Sequence, residues 1–454
     1  MSRSIPHSGF TPHDTVPAGT VDRYRIRDWG AGYFGLSTDG KVTVSVDTPN
    51  GKVAVALLDM VSGMSERGLQ MPVLLRIENL LDAQIARLHE SFRDAIARLG
   101  YRGEYRGVFP IKVNQQRQVI EEIARFGACY GHGLEAGSKA ELIIALSMMN
   151  NRDGMIICNG YKDREFVELG LLAQKIGYHC VFVIESPSEL STVLGCSEAL
   201  GVRPRIGVRV KLSSRVGGMW METSGDRSIF GLTTNQLIDV VDALKARGML
   251  DCLQLLHYHL GSQIPNVRDI RSGAVEACRY YADLVQEGAP MGYLDLGGGL
   301  AVDYDGSNAN HAHSKNYSLN EYCADVVEAV MTTLDPVDVP HPVIVTESGR
   351  ATVAYASVLL FNVLDVTRFE PEGAPTPVAQ DEHPQIHALQ EVYEAISPST
   401  LQECYNDALY YLDEIRDLFR RGQIRVRSQA IAEQLFLRIM HGLSRVLESG
   451  VPVP

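Results

Sequence analysis

Between residues 108 and 347 the chain repeats one pattern: a short apolar run of strand length, then a stretch of helical length, then another such run. Strands are expected at 108–113, 130–135, 155–159, 180–185, 206–210, 253–259, 293–296 and 343–347, with helices between them such as 115–126, 138–149 and 163–176. Strands alternating with helices demand right-handed crossovers and a parallel sheet. Eight units over roughly 250 residues is the size of a closed (β/α)8 barrel. An open doubly wound sheet would want a glycine fingerprint after its first strand. The residues there, VFPIKVNQQRQ, carry none. The fold class is therefore α/β, a (β/α)8 TIM-type barrel.

The flanks read differently. Residues 1–20 are rich in Pro, Ser, Thr and Gly and are expected to form a disordered tail. Alternating runs at 41–46, 52–58 and 72–77 are expected to be strands of a further β-domain spanning 21–79. Leu81, Ile85, Leu88, Phe92, Ile96 and Leu99 recur at helical steps and open the barrel region, 80–366. A Pro-rich, acidic linker over 367–384 leads to three amphipathic stretches over 385–450, a helical bundle.

Composition narrows the partners. With 42 Lys and Arg against 55 Asp and Glu, the net charge is −13, which disfavours nucleic acid and anionic membranes and suits a cationic small molecule. No apolar run approaches the roughly 18 residues of a membrane span, and no secretory signal is visible. The eight cysteines include no CxxC pair, so a reducing cytoplasm is expected, with most of them small buried hydrophobes.

Barrel enzymes take their catalytic groups from the C-terminal strand ends. Those ends supply Lys112, Glu135, Asn159, Glu185, Arg209, His259, the glycines Gly297, Gly298 and Gly299, and Glu347. Lys112 follows apolar residues, and a buried ammonium is usually paired, neutral or covalently modified. A Schiff base to a cofactor aldehyde answers that need, while a lysine snorkelling to solvent is the plain alternative. Three glycines after the seventh strand suit close approach of backbone to phosphate, or simply a sharp turn. His257 and His259 share a strand face, so one of them can be a core histidine, and Ser262 offers a hydroxyl to an anion. Glu347 could keep a pyridine nitrogen protonated and Arg350 could bind phosphate, or the two could form a surface pair.

In this order the segments FPIKVN, HGLEAGSKAEL, HYHLGSQ, LDLGGGLAVDY and TESGR resemble the fold-type III pyridoxal-phosphate decarboxylases. FPIKVNQQ and GGGLAVDYDGS are similar to the biosynthetic arginine decarboxylase family in particular, over about residues 21–450. The resemblance implies decarboxylation of L-arginine to agmatine, for polyamine synthesis, by an oligomer built from dimers. It implies pyridoxal 5'-phosphate, joined to Lys112, stacked on His259, held at its phosphate by Ser262, Gly297, Gly298, Gly299 and Arg350, and met at its ring nitrogen by Glu347. Glu135 and Arg209 match positions around the cofactor. Leu294, Asp295, Leu296, Gly297, Gly298, Gly299, Leu300, Ala301, Val302, Asp303 and Tyr304 match a substrate-binding segment. Magnesium is implied too, without readable ligands; His311 and His313 are expected to be solvated.

Two departures stand out. The family carries a C-terminal β-domain that supplies a protonating cysteine and a tyrosine for the phosphate, and none is readable before Pro454. Weak or absent turnover is therefore expected of these 454 residues alone, and the early strands and the apolar run 357–366 are then expected to lack sheet partners and to expose an edge. Within GDRSIFGL, Ile229 replaces an expected lysine and removes an inter-subunit ion pair, whereas Ala301 in place of a common glycine is minor. A non-catalytic cofactor-binding or dimer-modulating relative, or a decarboxylase or racemase for another amino acid, is the alternative reading.

Overall fold

Strand β1 (Phe34–Leu36), β2 (Val42–Thr48) and β3 (Gly51–Ala56) form an antiparallel sheet. Strand β4 (Val73–Arg76) pairs antiparallel with the last strand, β13 (Ser357–Leu360). The early strands and 357–360 therefore have partners, contrary to expectation, whereas 361–366 pairs with no strand among the described residues and leaves Phe361, Val363, Leu364 and Val366 exposed, as Leu74 and Leu359 are on the two-stranded piece. The run 52–58 is also corrected. Pairing of β3 with β2 ends at Ala56, and Leu57–Glu66 is a helix. Leu57, Met60, Val61 and Met64 recur at helical steps there, and alternation in the preceding strand hid that change of period. The computed structural model describes residues 24–48, 51–214, 228–367, 369–371, 373 and 377–448. The proposed tail over 1–20 and residues 225–227 of GDRSIFGL lie outside them.

Eight parallel strands close the barrel: β5 (Tyr105–Pro110), β6 (Gly133–Ala136), β7 (Met155–Cys158), β8 (His179–Ile184), β9 (Ile206–Arg209), β10 (Leu253–His257), β11 (Tyr293–Asp295) and β12 (Val343–Thr346). Each strand alternates two environments, as a period of two requires. Val108, Met155, Ile157, Val181, Val183, Leu255 and Val345 form one cluster, the apolar filling of the barrel. Their sequence neighbours, among them Phe109, Ile156, Phe182, Leu256 and Ile344, pack outward in a second, larger core against the helices. The helix Glu78–Leu99 buries Leu80, Leu81, Ile85, Leu88 and Phe92 along one stripe. Burial of each such side chain favours folding by about 1.5–3 kcal/mol.

Residues 362–454 form a separate compact unit. Its helices Pro384–Glu394, Leu401–Arg420 and Val426–Glu448 share a core that includes Ile386, Leu389, Ala408, Ile415, Leu435 and Ile439. Among the described residues no helix is long and apolar enough to cross a membrane. All eight cysteines are free, and only Cys129 is exposed.

Candidate active site

Continuing the same two-residue period past the apolar filling puts a polar layer at the C-terminal mouth of the barrel. Glu135 ends up beside Ile157 in register, and His257 lies between Arg209 and Asp295. Asn159, Glu185 and Glu347 each follow the last residue of their strand and turn inward at the same level. Lys112 stands outside the strand. The chain leaves β5 at Pro110 and enters one 3-10 turn, Ile111–Val113, which buries Ile111 and lifts Lys112 into the mouth. Its side chain is 57% exposed rather than buried, and its Nζ donates to both carboxylate oxygens of Glu135 at 3.1 Å.

Excess acid governs the electrostatics of this layer. Glu135, Glu185, Asp295 and Glu347 face Arg209 and Lys112 as permanent cations, with Lys162 also acting on Glu185. Burial, followed by the nearby Glu347, pushes the Glu135 carboxyl up to about 7. Burial likewise raises Asp295 to about 7, and burial and Asp295 together raise Glu347. Glu185 goes the other way. Burial opposes its ionisation, but Arg209, donating from Nη1 at 2.8 Å, holds it below its usual range. Desolvation by the pocket walls disfavours the Lys112 ammonium, yet Glu135 and Glu347 outweigh it and hold the amine above its ordinary value.

Glu347 accepts from Asn159 Nδ2 at 2.7 Å and has His257 Nδ1 at 3.8 Å. His257 Nδ1 is 3.0 Å from Asp295 Oδ2, but the two are not aligned as a hydrogen bond and neither atom has another partner. Burial keeps His257 neutral, with its pKa down at about 4. His257, Asp295 and Glu347 are also the only described residues grouped as a metal could need. One imidazole and two carboxyls sunk in the barrel do not fit Mg²⁺, which takes about six oxygen ligands, several of them water.

Above this layer opens a cavity of about 360 Å³, lined by Lys112, His259, Ser262, Gly298, Gly299, Tyr304, Glu347 and Arg350 among others. His259, an exposed residue, lines it; desolvation by its surroundings and then Arg209 lower its pKa to about 3. Gly298 N–H donates to His259 Nδ1 at 3.3 Å. The glycines are needed here. Gly297 and Gly299 take φ of 63° and 121°, and a Cβ on Gly298 would come within 3.2 Å of Glu347 O and 3.4 Å of His259 Cε1. Arg350 reaches Ser262 Oγ through Nη2 and Tyr304 Oη through Nη1, both at 3.1 Å, and leaves Nε buried without a partner. Glu347 and Arg350 are thus not paired with each other.

Of the segment 294–304, Gly298, Gly299, Leu300 and Tyr304 line the cavity, while Leu294, Leu296 and Ala301 are buried. Ile229 is 86% exposed. His311, on the surface, meets Asp305 at 3.2 Å. Sequence reasoning missed the ion pair behind Glu185. Lys162 Nζ lies 3.3 Å from Glu189 Oε2, with side chains 0% and 2% exposed, and Glu189 in turn accepts from Glu185 N at 2.8 Å. Nothing in the local pattern could have paired two residues 27 apart in the chain.

An amine beside a carboxylate, an imidazole face, and a glycine, serine and arginine cradle surround one cavity and could together hold pyridoxal phosphate. The free Arg350 Nε and the room that a Cβ would fill fit that cofactor. The comparisons agree on the class. Residues 82–354 match the family described as pyridoxal-dependent decarboxylase, pyridoxal binding domain, and 379–454 match the arginine decarboxylase helical bundle domain. The biosynthetic arginine decarboxylase of Thermosynechococcus vestitus is 46% identical over 91% of this chain and 64% of its own length. That of Synechococcus sp. (strain RCC307) is 40% identical over 97% of this chain and 68% of its own. The crystal structure of the Campylobacter jejuni enzyme superposes with a TM-score of 0.79 at 32% identity, covering 93% of this chain and 69% of that one. The chain belongs to the biosynthetic arginine decarboxylase family of pyridoxal-dependent decarboxylases. It spans about 64% of the length of the first curated relatives it matches.

Proposed function

We propose that this chain carries the pyridoxal-phosphate site of an arginine decarboxylase, releasing CO₂ from L-arginine to leave agmatine, in a cytoplasmic homo-oligomer. The observation that carries the reading is Lys112, held by Glu135 on one side of a cavity whose other side is Ser262, Gly298, Gly299 and Arg350. The cofactor supplies a carbonyl that condenses with amines and a pyridinium ring that takes up the electrons left behind by CO₂.

Lys112 presents the amine from a turn whose backbone is anchored by buried Ile111. As an ammonium it cannot attack a carbonyl, and Glu135, with a pKa of about 7 and 3.1 Å away, is placed to take its proton from Nζ. His259, neutral, offers an uncharged face to an aromatic ring. Ser262 and Arg350 bind the phosphate, with Tyr304 steadying the guanidinium. Glu347, oriented by Asn159, holds a proton at the ring nitrogen. The walls around these groups exclude water from the acidic layer beneath. Arginine as substrate rests on relatives of that name at 40–46% identity.

The test is cofactor capture followed by substrate profiling. Borohydride should fix the cofactor onto the Lys112 peptide, seen by mass spectrometry, and Lys112→Ala should lose both the adduct and the visible absorbance. An adduct on another lysine would overturn the site. Faster CO₂ release from ornithine, lysine or diaminopimelate than from arginine would overturn the substrate.

A further inference from the structure

Behind the wall formed by Leu300–Asp303 lies a second cavity of about 220 Å³, which shares Leu300 with the cofactor cavity. Arg87 and Gln84 enter it from the helix Glu78–Leu99, Lys315 and Asn308 from the loop after β11, and Ser318 and Tyr355 complete its polar lining. Neither Arg87 nor Lys315 has a carboxylate within 4.0 Å among the described residues. Asp303, which acts on Lys315 electrostatically, has its oxygens hydrogen-bonded elsewhere. Its Oδ1 accepts from Gly306 N at 3.0 Å and Ser314 Oγ at 2.8 Å, and its Oδ2 from Asn308 N at 3.1 Å. Asp28 sits exposed at the rim and pairs with neither cation.

Lys315 is half-buried, with its Nζ 5.1 Å from the centre of the Tyr317 ring. Burial, then the charge on Arg87, press its pKa down to about 8 against the opposing pull of Asp303 and Cys323. Arg87, which also interacts with Tyr33, and Lys315 share the cavity with Asp28 and Asp303, and the repulsion between the two cations would be eased by an anion placed between them.

We propose that this cavity binds a small oxyanion, carboxylate or phosphate, between Arg87 and Lys315, at a site separate from the cofactor cradle. The amides of Gln84 and Asn308 and the hydroxyls of Ser318 and Tyr355 are hydrogen-bond donors suited to its oxygens. The inference does not depend on the decarboxylase reading.

The experiment is calorimetric titration of the full chain saturated with pyridoxal phosphate, so that the phosphate cradle is filled. Inorganic phosphate and acetate are added in separate arms, with chloride holding the ionic strength constant. Saturable binding of either is expected, and the arm that binds identifies the source. Lys315→Met and Arg87→Met should each weaken it at least tenfold, while Ser262→Ala leaves it unchanged. In anion-free buffer Lys315→Met should be at least as heat-stable as the native chain, because a repulsion has been removed. The proposal is overturned if neither anion binds saturably, if both Met variants bind as the native chain does, or if only Ser262→Ala abolishes binding.

Discussion

Lys162 is the sharpest test of how the acidic mouth is supported. Its ammonium is fully buried, donating to Gly160 O at 2.6 Å and lying 3.3 Å from Glu189 Oε2. Lys162→Met keeps most of the stem volume and removes the charge. Glu189 then remains a carboxylate at 2% exposure, with the N–H of Glu185 as its remaining donor. Leaving one partner of a buried pair uncompensated costs about 3–5 kcal/mol, whereas replacing both by neutral groups is often close to neutral. Lys162→Met should therefore lose about 3–5 kcal/mol. Lys162→Met/Glu189→Gln, which keeps an acceptor for Glu185 N, should regain at least about 2 kcal/mol of that loss. Urea unfolding of the native chain, both single variants and the double variant, followed by circular dichroism, yields the coupling energy. A single variant costing less than about 1 kcal/mol, or a double variant as unstable as the two singles summed, would refute the reasoning.

The glycine cradle and the acidic layer give two further expectations. Gly298 does not need a left-handed backbone, so Gly298→Ala should fold, yet its Cβ crowds His259 and Glu347 O; pyridoxal-phosphate affinity should fall about tenfold, equivalent to about 1.4 kcal/mol, and unchanged binding by absorbance titration would count against the cradle. Glu135 and Asp295 both titrate at about 7 in the folded barrel, against about 4 in an unfolded chain. The folded state therefore holds their protons more tightly, and the stability they confer is complete below about pH 4 and lost as pH rises through about 7. Asp295→Asn should flatten the fall in urea midpoint between about pH 5 and pH 7; an unaltered slope would contradict the assignment.

What the sequence made legible was whatever a strict period fixes. Alternation put Glu135, Arg209 and His257 on the inward face, and the mouth follows from that. Lys112 was singled out from its strand end but wrongly placed within the strand, because the apolar run VFPI continues through the bend at Pro110. Leu57 was missed for the opposite reason: a helix begins where alternation had not visibly failed. Pairings that depend on which strands become neighbours were out of reach. Lys162 meets Glu189 across the β7–β8 contact, and Arg350 finds Ser262 from 88 residues away. Arg87 and Lys315 drew no notice, since neither lies in a motif and only closure of the barrel joins them.

The reactive side chains lie on or just after the C-terminal ends of their strands, so all of them leave from the same rim. The connections at the other rim, such as 201–205 ahead of β9, hold none of these groups. Circularly permuted versions opened there would keep every mouth residue on an unbroken strand, which makes this barrel suited to splitting and re-joining while its chemistry stays in one place.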